Sequence, residues 1–259
     1  MRNLIIGMGE IGKGLYEVVS KVHETYTYDS AKGVNFPADA VGSAILNICI
    51  PGNLPDFVDI VEEYIYRVGP LTTIIHSTVP LLTTQKIANR TNTDVVHSPV
   101  RGIHPHMSKG ILTYVKYLGG ENCSLAADFL MNAGIKVCTV DNALTSELAK
   151  VLSTTRYGIN LMFARFTFLL CQEFGLDYDQ VYTNWEEQYN AGLKELGLSK
   201  YTRPVLDAPG EKIGGHCVIE NAYMLLKQLF EGGYHDDDFL DTLAILVQTG
   251  KGDRELEGF

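Results

Sequence analysis

The chain has 259 residues, of which 46% are hydrophobic and 20% charged, a balance typical of a globular protein with one large domain or two smaller ones. Its net charge of −10 argues against nucleic acid or an anionic membrane as a partner, since both are negatively charged. The five scattered cysteines contain no CxxC pair, so neither a metal site nor a disulfide framework is predicted. The most apolar long stretch contains Arg165 and falls short of a membrane span. We expect a soluble, cytoplasmic protein without a signal peptide.

The first predicted unit is a strand, a glycine-rich turn and a helix, within "NLIIGMGEIGKGLYEVVSKV". Gly7, Gly9 and Gly12 fit GxGxxG, in which the first glycine makes the turn, the second admits a pyrophosphate and the third lets helix and strand pack. Glu10 and Ile11 complete the predicted binding turn. The alternative is a turn without a ligand, but its place between a strand and a helix favours dinucleotide binding.

Asp29 follows the next predicted strand, "ETYTY". An acid at this point would accept hydrogen bonds from a ribose hydroxyl and repel a 2′-phosphate. The spacing therefore favours NAD over NADP as the cofactor, and an ordinary turn aspartate is the alternative.

Strand-like and helix-like segments then alternate as far as about residue 140. The predicted strands are "SAILNICI", "LTTIIHST", "TDVVHSPV", "TYVKYLGG" and "IKVCTV", and the predicted helices are "LPDFVDIVEEYIYRV", "LTTQKIANRT" and "CSLAADFLMNAG". This alternation predicts an α/β fold, a Rossmann-type doubly wound and mostly parallel sheet with both faces covered.

Strand signals stop after about residue 142. A stretch of more than 30 residues is then apolar at helical spacing, with "TSEL" as a capped start. The rest is predicted helical apart from a loop at about 199–216. We predict an NAD-binding domain at 1–141 and an all-helical dimerisation and substrate domain at 142–259, with a homodimer formed through the 143–175 helix.

Cys217 lies in "EKIGGHCVIENAYML", after a glycine pair and next to a histidine. A free cysteine often packs as a small hydrophobe. A helix beginning at about Val218 would instead lower the pKa of the thiol and make it reactive. This stretch alone does not decide between a buried thiol and a nucleophile.

Five short motifs occur in an order that resembles the UDP-glucose/GDP-mannose dehydrogenase family. They are "GMGEIG", "HSTVP", "HSPVRG", "SELAK" and "IGGHC". The last is most similar to the branch that oxidises UDP-N-acetylmannosamine-type sugars, and the resemblance spans about residues 1–230.

The resemblance implies an enzyme that oxidises an alcohol twice with NAD and captures the intermediate aldehyde on a cysteine. It assigns Cys217 as the nucleophile, Lys150 as the cation that stabilises oxyanion charge or moves a proton, and Thr78 as the residue that holds a water or hydroxyl near the substrate. The remaining candidates are Pro51 and Ser77 beside the cofactor, and Gly214, Gly215, His216, Thr154 and Asn221 beside the substrate. For Lys150 the alternative is a surface lysine paired with Glu147, three residues earlier.

The sequence also departs from the family pattern. Val100, Thr154 and Asn221 stand where the family has Glu, Asn and Asp, which leaves the second oxidation open. The chain continues for only about 40 residues after Cys217, whereas the family has a further carboxy-terminal domain that grips the nucleotide. The resemblance therefore leaves a nucleotide-sugar substrate open as well.

His104 and His106 lie in "RGIHPHMSKG", predicted as a loop after a strand. They would bind a phosphate or acid substrate, or else face solvent.

Two other functions remain open. A β-hydroxyacid dehydrogenase-like enzyme would make one hydride transfer with Lys150 as general acid/base, and a non-catalytic protein would use the same fold as an NAD-binding sensor or scaffold.

Overall fold

The structure is a computed structural model that describes residues 1–33, 35–102, 105–208, 216–234 and 236–251. The chain divides into two units, Met1–Lys150 and Val151–Phe259. The division falls inside one long helix, whereas the sequence places it just before that helix.

The first unit is built on a seven-stranded sheet. Its strands are β1 (Arg2–Ile6), β2 (Glu24–Tyr28), β3 (Ile45–Ile48), β4 (Thr72–Ile75), β5 (Asp94–His97), β6 (Lys116–Gly119) and β7 (Val137–Val140), in the spatial order β2-β1-β3-β4-β5-β6-β7. All neighbours are parallel except β5 and β6, which pair antiparallel. The predicted α/β fold with a mostly parallel sheet is confirmed.

Helices cover both faces of this sheet. They are α1 (Glu10–Val19), α2 (Phe57–Val68), α3 (Thr83–Thr91), α4 (Met107–Thr113) and α5 (Ser124–Asn132). Alternate residues of each strand feed opposite cores. Ile5 of β1 packs with Leu15 of α1 and Phe129 of α5, whereas Leu4 packs on the other face with Val61 of α2. The chain reverses direction of winding at β1, which has β2 and β3 on its two sides.

The sequence predicts a loop over 101–110. This is wrong from Met107 onward, because α4 begins there. This helix packs closely against α1 because residue 14 is glycine. A Cβ on Gly14 would lie 2.8 Å from Met107 Cγ. At seven residues, α4 is too short for helical periodicity to reveal it.

The long helix α6 (Ala143–Phe174) was predicted to begin with a cap in "TSEL", which is also wrong. Asn142 is the capping side chain, since its Oδ1 accepts hydrogen bonds from the backbone N–H and the hydroxyl of Thr145, at 2.9 and 3.1 Å. The helix therefore begins one turn earlier.

The described residues of the second unit form helices joined by turns and a loop, without a strand, as predicted. It continues α6 and adds a π-helical turn (Asp179–Thr183), α7 (Asn184–Glu195), a 3-10 turn (Ser199–Tyr201), α8 (His216–Glu231) and α9 (Asp237–Lys251). Gly158 of α6 allows close packing here, because a Cβ at that position would lie 2.6 Å from Val218 Cγ1 of α8. Among the described residues, none of the helices is both long and apolar enough to cross a bilayer.

Candidate active site

The glycine-rich turn follows β1, at the point where the sheet changes its direction of winding. Gly7 has φ +90°, and a Cβ there would lie 2.9 Å from the backbone of Cys49. A Cβ on Gly12 would lie 1.9 Å from the Gly7 carbonyl oxygen. Around Gly9, by contrast, no atom lies within 4 Å of the place that a Cβ would take. The first and third glycines are needed for packing, and the second leaves room for a ligand, as a pyrophosphate cradle requires.

Asp29 lies beside this turn. Its Oδ2 accepts a hydrogen bond from the Met8 backbone N–H at 2.9 Å, and its Oδ1 accepts one from Ala31 N–H at 3.1 Å. Each oxygen keeps a further lone pair, since a carboxylate can accept about four hydrogen bonds. The carboxylate is thus held next to the turn with capacity left for hydroxyl donors.

Pro51, Ser77 and Thr78 lie at the carboxyl ends of β3 and β4. The Ser77 hydroxyl donates to the Ile50 carbonyl oxygen. A Cβ on Gly52 would lie 2.0 Å from the Thr78 carbonyl oxygen, so the two loops touch because residue 52 is glycine. Pro51 is exposed and Thr78 is half-buried, which leaves both accessible from the edge where ligands of open α/β sheets bind.

Two buried histidines follow β4 and end β5. His76 Nε2 bonds Asn47 Oδ1 at 2.9 Å. His97 Nδ1 bonds the Ser146 hydroxyl of α6 at 2.8 Å, and its Nε2 bonds the Ser77 carbonyl oxygen at 3.1 Å. Burial lowers the pKa of His76 well below its usual value and lowers that of His97 to about 3, so both rings are neutral at pH 7.

Lys116 of β6 is a buried lysine that sequence reasoning missed. Its ammonium nitrogen donates to the Ser98 carbonyl oxygen and, at 3.1 Å, to the Ser98 hydroxyl. Burial lowers its pKa to about 7. Nearby Cys49 is also buried, and burial raises the pKa of that thiol to about 12. Lys116 lies in a predicted strand of mostly apolar residues, and nothing in the sequence indicates that its side chain is buried.

Glu147 of α6 is fully buried and lies against the start of α3. Its carboxylate accepts hydrogen bonds from Leu82 N–H at 2.6 Å, Thr84 N–H at 2.9 Å and the Thr84 hydroxyl at 2.6 Å. Burial raises the pKa of Glu147, and the bonds from Thr84 and Leu82 oppose that rise. The alternative for Lys150, a surface lysine paired with Glu147, is wrong because Glu147 is buried and bonded to Leu82 and Thr84.

Lys150 is half-buried, at the end of the first unit's part of α6. Its positive charge contributes to the lowered pKa of both His97 and Lys116. The ammonium group is therefore near enough to His97, the last residue of β5, and to Lys116 of β6 to act on both electrostatically.

In the second unit, Cys217 is the second residue of α8 and is exposed. The helix begins at His216, slightly before the predicted start at about Val218. Gly214 and Gly215 lie outside the described residues, as does the side chain of His216. Cys217 is thus not a core residue of this unit, and its exposed first-turn position is compatible with reactivity.

Thr154 of α6 and Asn221 of α8 are directly bonded to each other. Asn221 Nδ2 donates to Thr154 Oγ1 at 3.0 Å, and Thr154 Oγ1 donates to the Val151 carbonyl oxygen at 2.9 Å. Asn221 is buried. The two positions at which the sequence departs from the family pattern therefore form one neutral hydrogen-bonded pair.

The third departure, Val100, is buried in the core beside α4. His106 is exposed and immediately precedes α4, while His104 lies outside the described residues. Within the described ranges there is no group of three or more His, Cys, Asp or Glu side chains that could hold a metal ion.

The fold and the glycine-rich turn are those of Rossmann-type proteins, and the known proteins that this chain resembles include dehydrogenases. No family model matches the sequence. The chain is similar to the UDP-N-acetyl-D-mannosamine dehydrogenase of Pyrococcus horikoshii, with 26% identity over 83% of this chain and 53% of the relative. An NDP-N-acetyl-D-galactosaminuronic acid dehydrogenase of Ralstonia nicotianae is 22% identical over 73% of this chain and 48% of the relative. These relatives confirm the resemblance indicated by the motifs, and the chain spans about half of their length.

Solved structures show the same fold. The UDP-D-ManNAc dehydrogenase from Pyrococcus horikoshii matches with a TM-score of 0.73 and 22% identity, over 95% of this chain and 67% of that one. A 3-hydroxyisobutyrate dehydrogenase of Mycobacterium tuberculosis matches with a TM-score of 0.69 and 15% identity, over 94% of this chain and 91% of that one. The first resembles this chain more in sequence, and the second is closer to it in length.

Proposed function

We propose that the protein is an NAD-dependent oxidoreductase that acts on the alcohol of a sugar, of the nucleotide-sugar type, or of a small acid. The observation that carries the proposal is the turn after β1, where the space at Gly9 is open and Asp29 is held beside Met8. The similarity to named dehydrogenases supports the reaction class.

The residues of the turn would bind the cofactor. The N-terminus of α1 would face the pyrophosphate and supply backbone N–H donors, and Asp29 would accept hydrogen bonds from the ribose hydroxyls. Bound NAD would supply a hydride acceptor. Pro51, Ser77 and Thr78, at the neighbouring strand ends, would line the cofactor side of the site, with the Thr78 hydroxyl available to hold a water or substrate hydroxyl.

Lys150 would stabilise negative charge on the substrate oxygen as the hydride leaves the carbon, or move the hydroxyl proton. The positive charge that lowers the pKa of His97 and Lys116 supports this role. His97 would be neutral at pH 7 and Lys116 only partly charged, so the charge that the substrate oxygen meets would come in large part from Lys150.

Cys217 would add to the carbonyl carbon of the resulting aldehyde. A carbon–sulfur bond forms, the thiol proton is lost to solvent or a base, and the carbonyl oxygen gains a proton. Removal of the hydride on this carbon, for which NAD would be the acceptor, together with loss of the hydroxyl proton would give a thioester, and water would cleave it to the acid and the free Cys217 thiol. This two-step course is implied by the family resemblance and is supported by the exposed first-turn position of Cys217.

A single oxidation is the second candidate. The neutral Thr154–Asn221 pair provides no carboxylate to activate water for thioester cleavage, and Val100 is buried in the core. The match over 91% of a 3-hydroxyisobutyrate dehydrogenase chain also favours an enzyme that makes one hydride transfer with Lys150 as general acid/base.

Counting NADH formed per substrate consumed separates these functions. UDP-N-acetylmannosamine, UDP-glucose and 3-hydroxyisobutyrate would each be supplied in limiting amount with excess NAD. Two NADH per substrate, reduced to one or none in Cys217→Ser, supports the covalent route, whereas one NADH that persists in Cys217→Ser supports the single transfer. Tight NAD binding without turnover of any alcohol substrate would overturn the enzymatic proposal and leave a sensor or scaffold.

A further inference from the structure

The segment from Ser77 to Thr84 links β4 to α3 and contains Thr78. Its far end is held by the buried carboxylate of Glu147, through the three hydrogen bonds from Leu82 and Thr84. Hydrogen bonds to an ionised group are about twice as strong as neutral ones. A carboxylate at the start of a helix also interacts favourably with the helix dipole.

Leu82 gives an independent sign that this end of the segment is constrained. It has φ +69°, in the left-handed region that leucine rarely adopts because its Cβ comes too close to the backbone. Such a conformation persists only where the surroundings impose it. Here the Leu82 N–H is the group that donates to Glu147, so the carboxylate supports the strained residue directly.

The near end of the same segment is held from the same helix. Ser146, the neighbour of Glu147 on α6, bonds His97, and His97 in turn bonds the Ser77 carbonyl oxygen. Adjacent residues of α6 therefore hold the first and last parts of the segment. Lys150 lies on α6 one turn beyond Glu147, so the arrangement couples the position of Thr78 to that of Lys150.

We propose that Glu147 is a positioning residue that holds the Ser77–Thr84 segment and Lys150 in one fixed arrangement for the reaction. This inference rests on the proposed function for the roles of Thr78 and Lys150. Glutamate suits the task because both of its oxygens accept hydrogen bonds, from Leu82 and from Thr84. A glutamine would present an NH₂ group to one of these donors.

The test compares Glu147→Gln with Glu187→Gln, a matched change at an exposed position of α7. A displacement of about 1 Å at a reacting group costs about 10²-fold in rate. We expect Glu147→Gln to lower kcat by about that factor, with the KM for NAD little changed because the glycine-rich turn is untouched. Glu187→Gln should match the wild type in both constants.

A second readout needs neither cofactor nor turnover. The rate at which trinitrobenzenesulfonate modifies Lys150, relative to exposed Lys136, would be followed by mass spectrometry. Glu147→Gln should change this ratio severalfold and Glu187→Gln should not. If the wild type binds no NAD, the proposed function fails, yet the Lys150 ratio still tests the positioning role.

If Glu147→Gln does not fold, Thr84→Val serves as the second variant. It removes the hydroxyl that donates to Glu147 and keeps the carboxylate. It should shift kcat and the Lys150 ratio in the same direction by a smaller factor, and Thr84→Ser should restore both. Unchanged kcat and an unchanged Lys150 ratio in the folded variants, with only a lower Tm, would overturn the proposal and reduce Glu147 to a helix cap.

Discussion

At the scale of single residues, Lys116 places an amine inside the first unit with only 2% of its surface exposed. Its pKa is about 7 in the folded protein, against 10.5 for an ordinary lysine, because burial disfavours the charged form. Between these values the unfolded chain binds more protons than the folded one. The free energy of unfolding therefore rises with pH in this range, by at most about 1.4 kcal/mol per pH unit.

We predict that Lys116→Met removes this rise. Urea unfolding at pH 7 and pH 8.5 should show stability increasing with pH in the wild type and in the exposed control Lys136→Met, but not in Lys116→Met. Any contribution of Cys49, whose pKa is raised to about 12 by burial, is shared with the control Lys136→Met, so the comparison isolates Lys116. Equal slopes in all three proteins would show that Lys116 is charged in the folded state.

Cys217 has a suitable internal reference, because Cys138 is also exposed while Cys49 and Cys171 are buried. We predict that iodoacetamide labels Cys217 faster than Cys138 near neutral pH, since Cys217 lies in the first turn of α8 and Cys138 lies in β7. Bound NAD should change the Cys217 rate. Cys217→Ser should keep NAD affinity and stop oxidation beyond the aldehyde. Equal labelling of the two thiols would return Cys217 to an ordinary surface cysteine.

At the scale of elements, the strand–turn–helix unit of β1 and α1 carries the cofactor prediction. Gly9→Val should abolish NAD binding, because its side chain would fill the space left open at Gly9. The control is Gly192→Val in α7, where no atom lies within 4 Å of the Cβ position either. Calorimetric titration that finds NAD binding intact in Gly9→Val would exclude this turn as the site.

The same unit predicts cofactor preference. Asp29 is fixed beside the turn by Met8 N–H, and its charge would oppose a 2′-phosphate. We therefore expect tighter binding of NAD(H) than of NADP(H), with the preference reduced in Asp29→Asn. NADPH binding as tight as NADH binding in the wild type would contradict the assignment.

At the scale of the whole molecule, we predict a homodimer formed through the 143–175 helix. Along α6, Phe163, Phe166 and Phe174 are 58%, 57% and 70% exposed. An apolar surface of this kind on a single chain marks an interaction site. Light scattering at micromolar concentration should give a dimer for the wild type and a monomer for Phe163→Glu/Phe166→Glu. Val22→Glu, on the first unit, should remain dimeric. A monomeric wild type would rule the dimer out.

Local pattern in the sequence was sufficient for most of the fold. Alternation and glycine punctuation identified all seven strands and the glycine-rich turn, because strand, turn and helix preferences depend on residues within a few positions of one another. The same logic identified the long helix but missed α4, which is too short for a periodic signal, and it chose the wrong cap for α6, because Asn142 lies outside the "TSEL" pattern.

The polar interior was decided only by the tertiary structure. Glu147 and Leu82 are 65 residues apart in sequence, and His97 and Ser146 are 49 apart, so no local pattern connects them. Lys116 and Glu147 are buried although lysine and glutamate are residue types that usually lie on the surface. They are stable inside because strands and helices from distant parts of the chain supply Ser98, Leu82 and Thr84 as partners, and such partners exist only once the sheet has assembled.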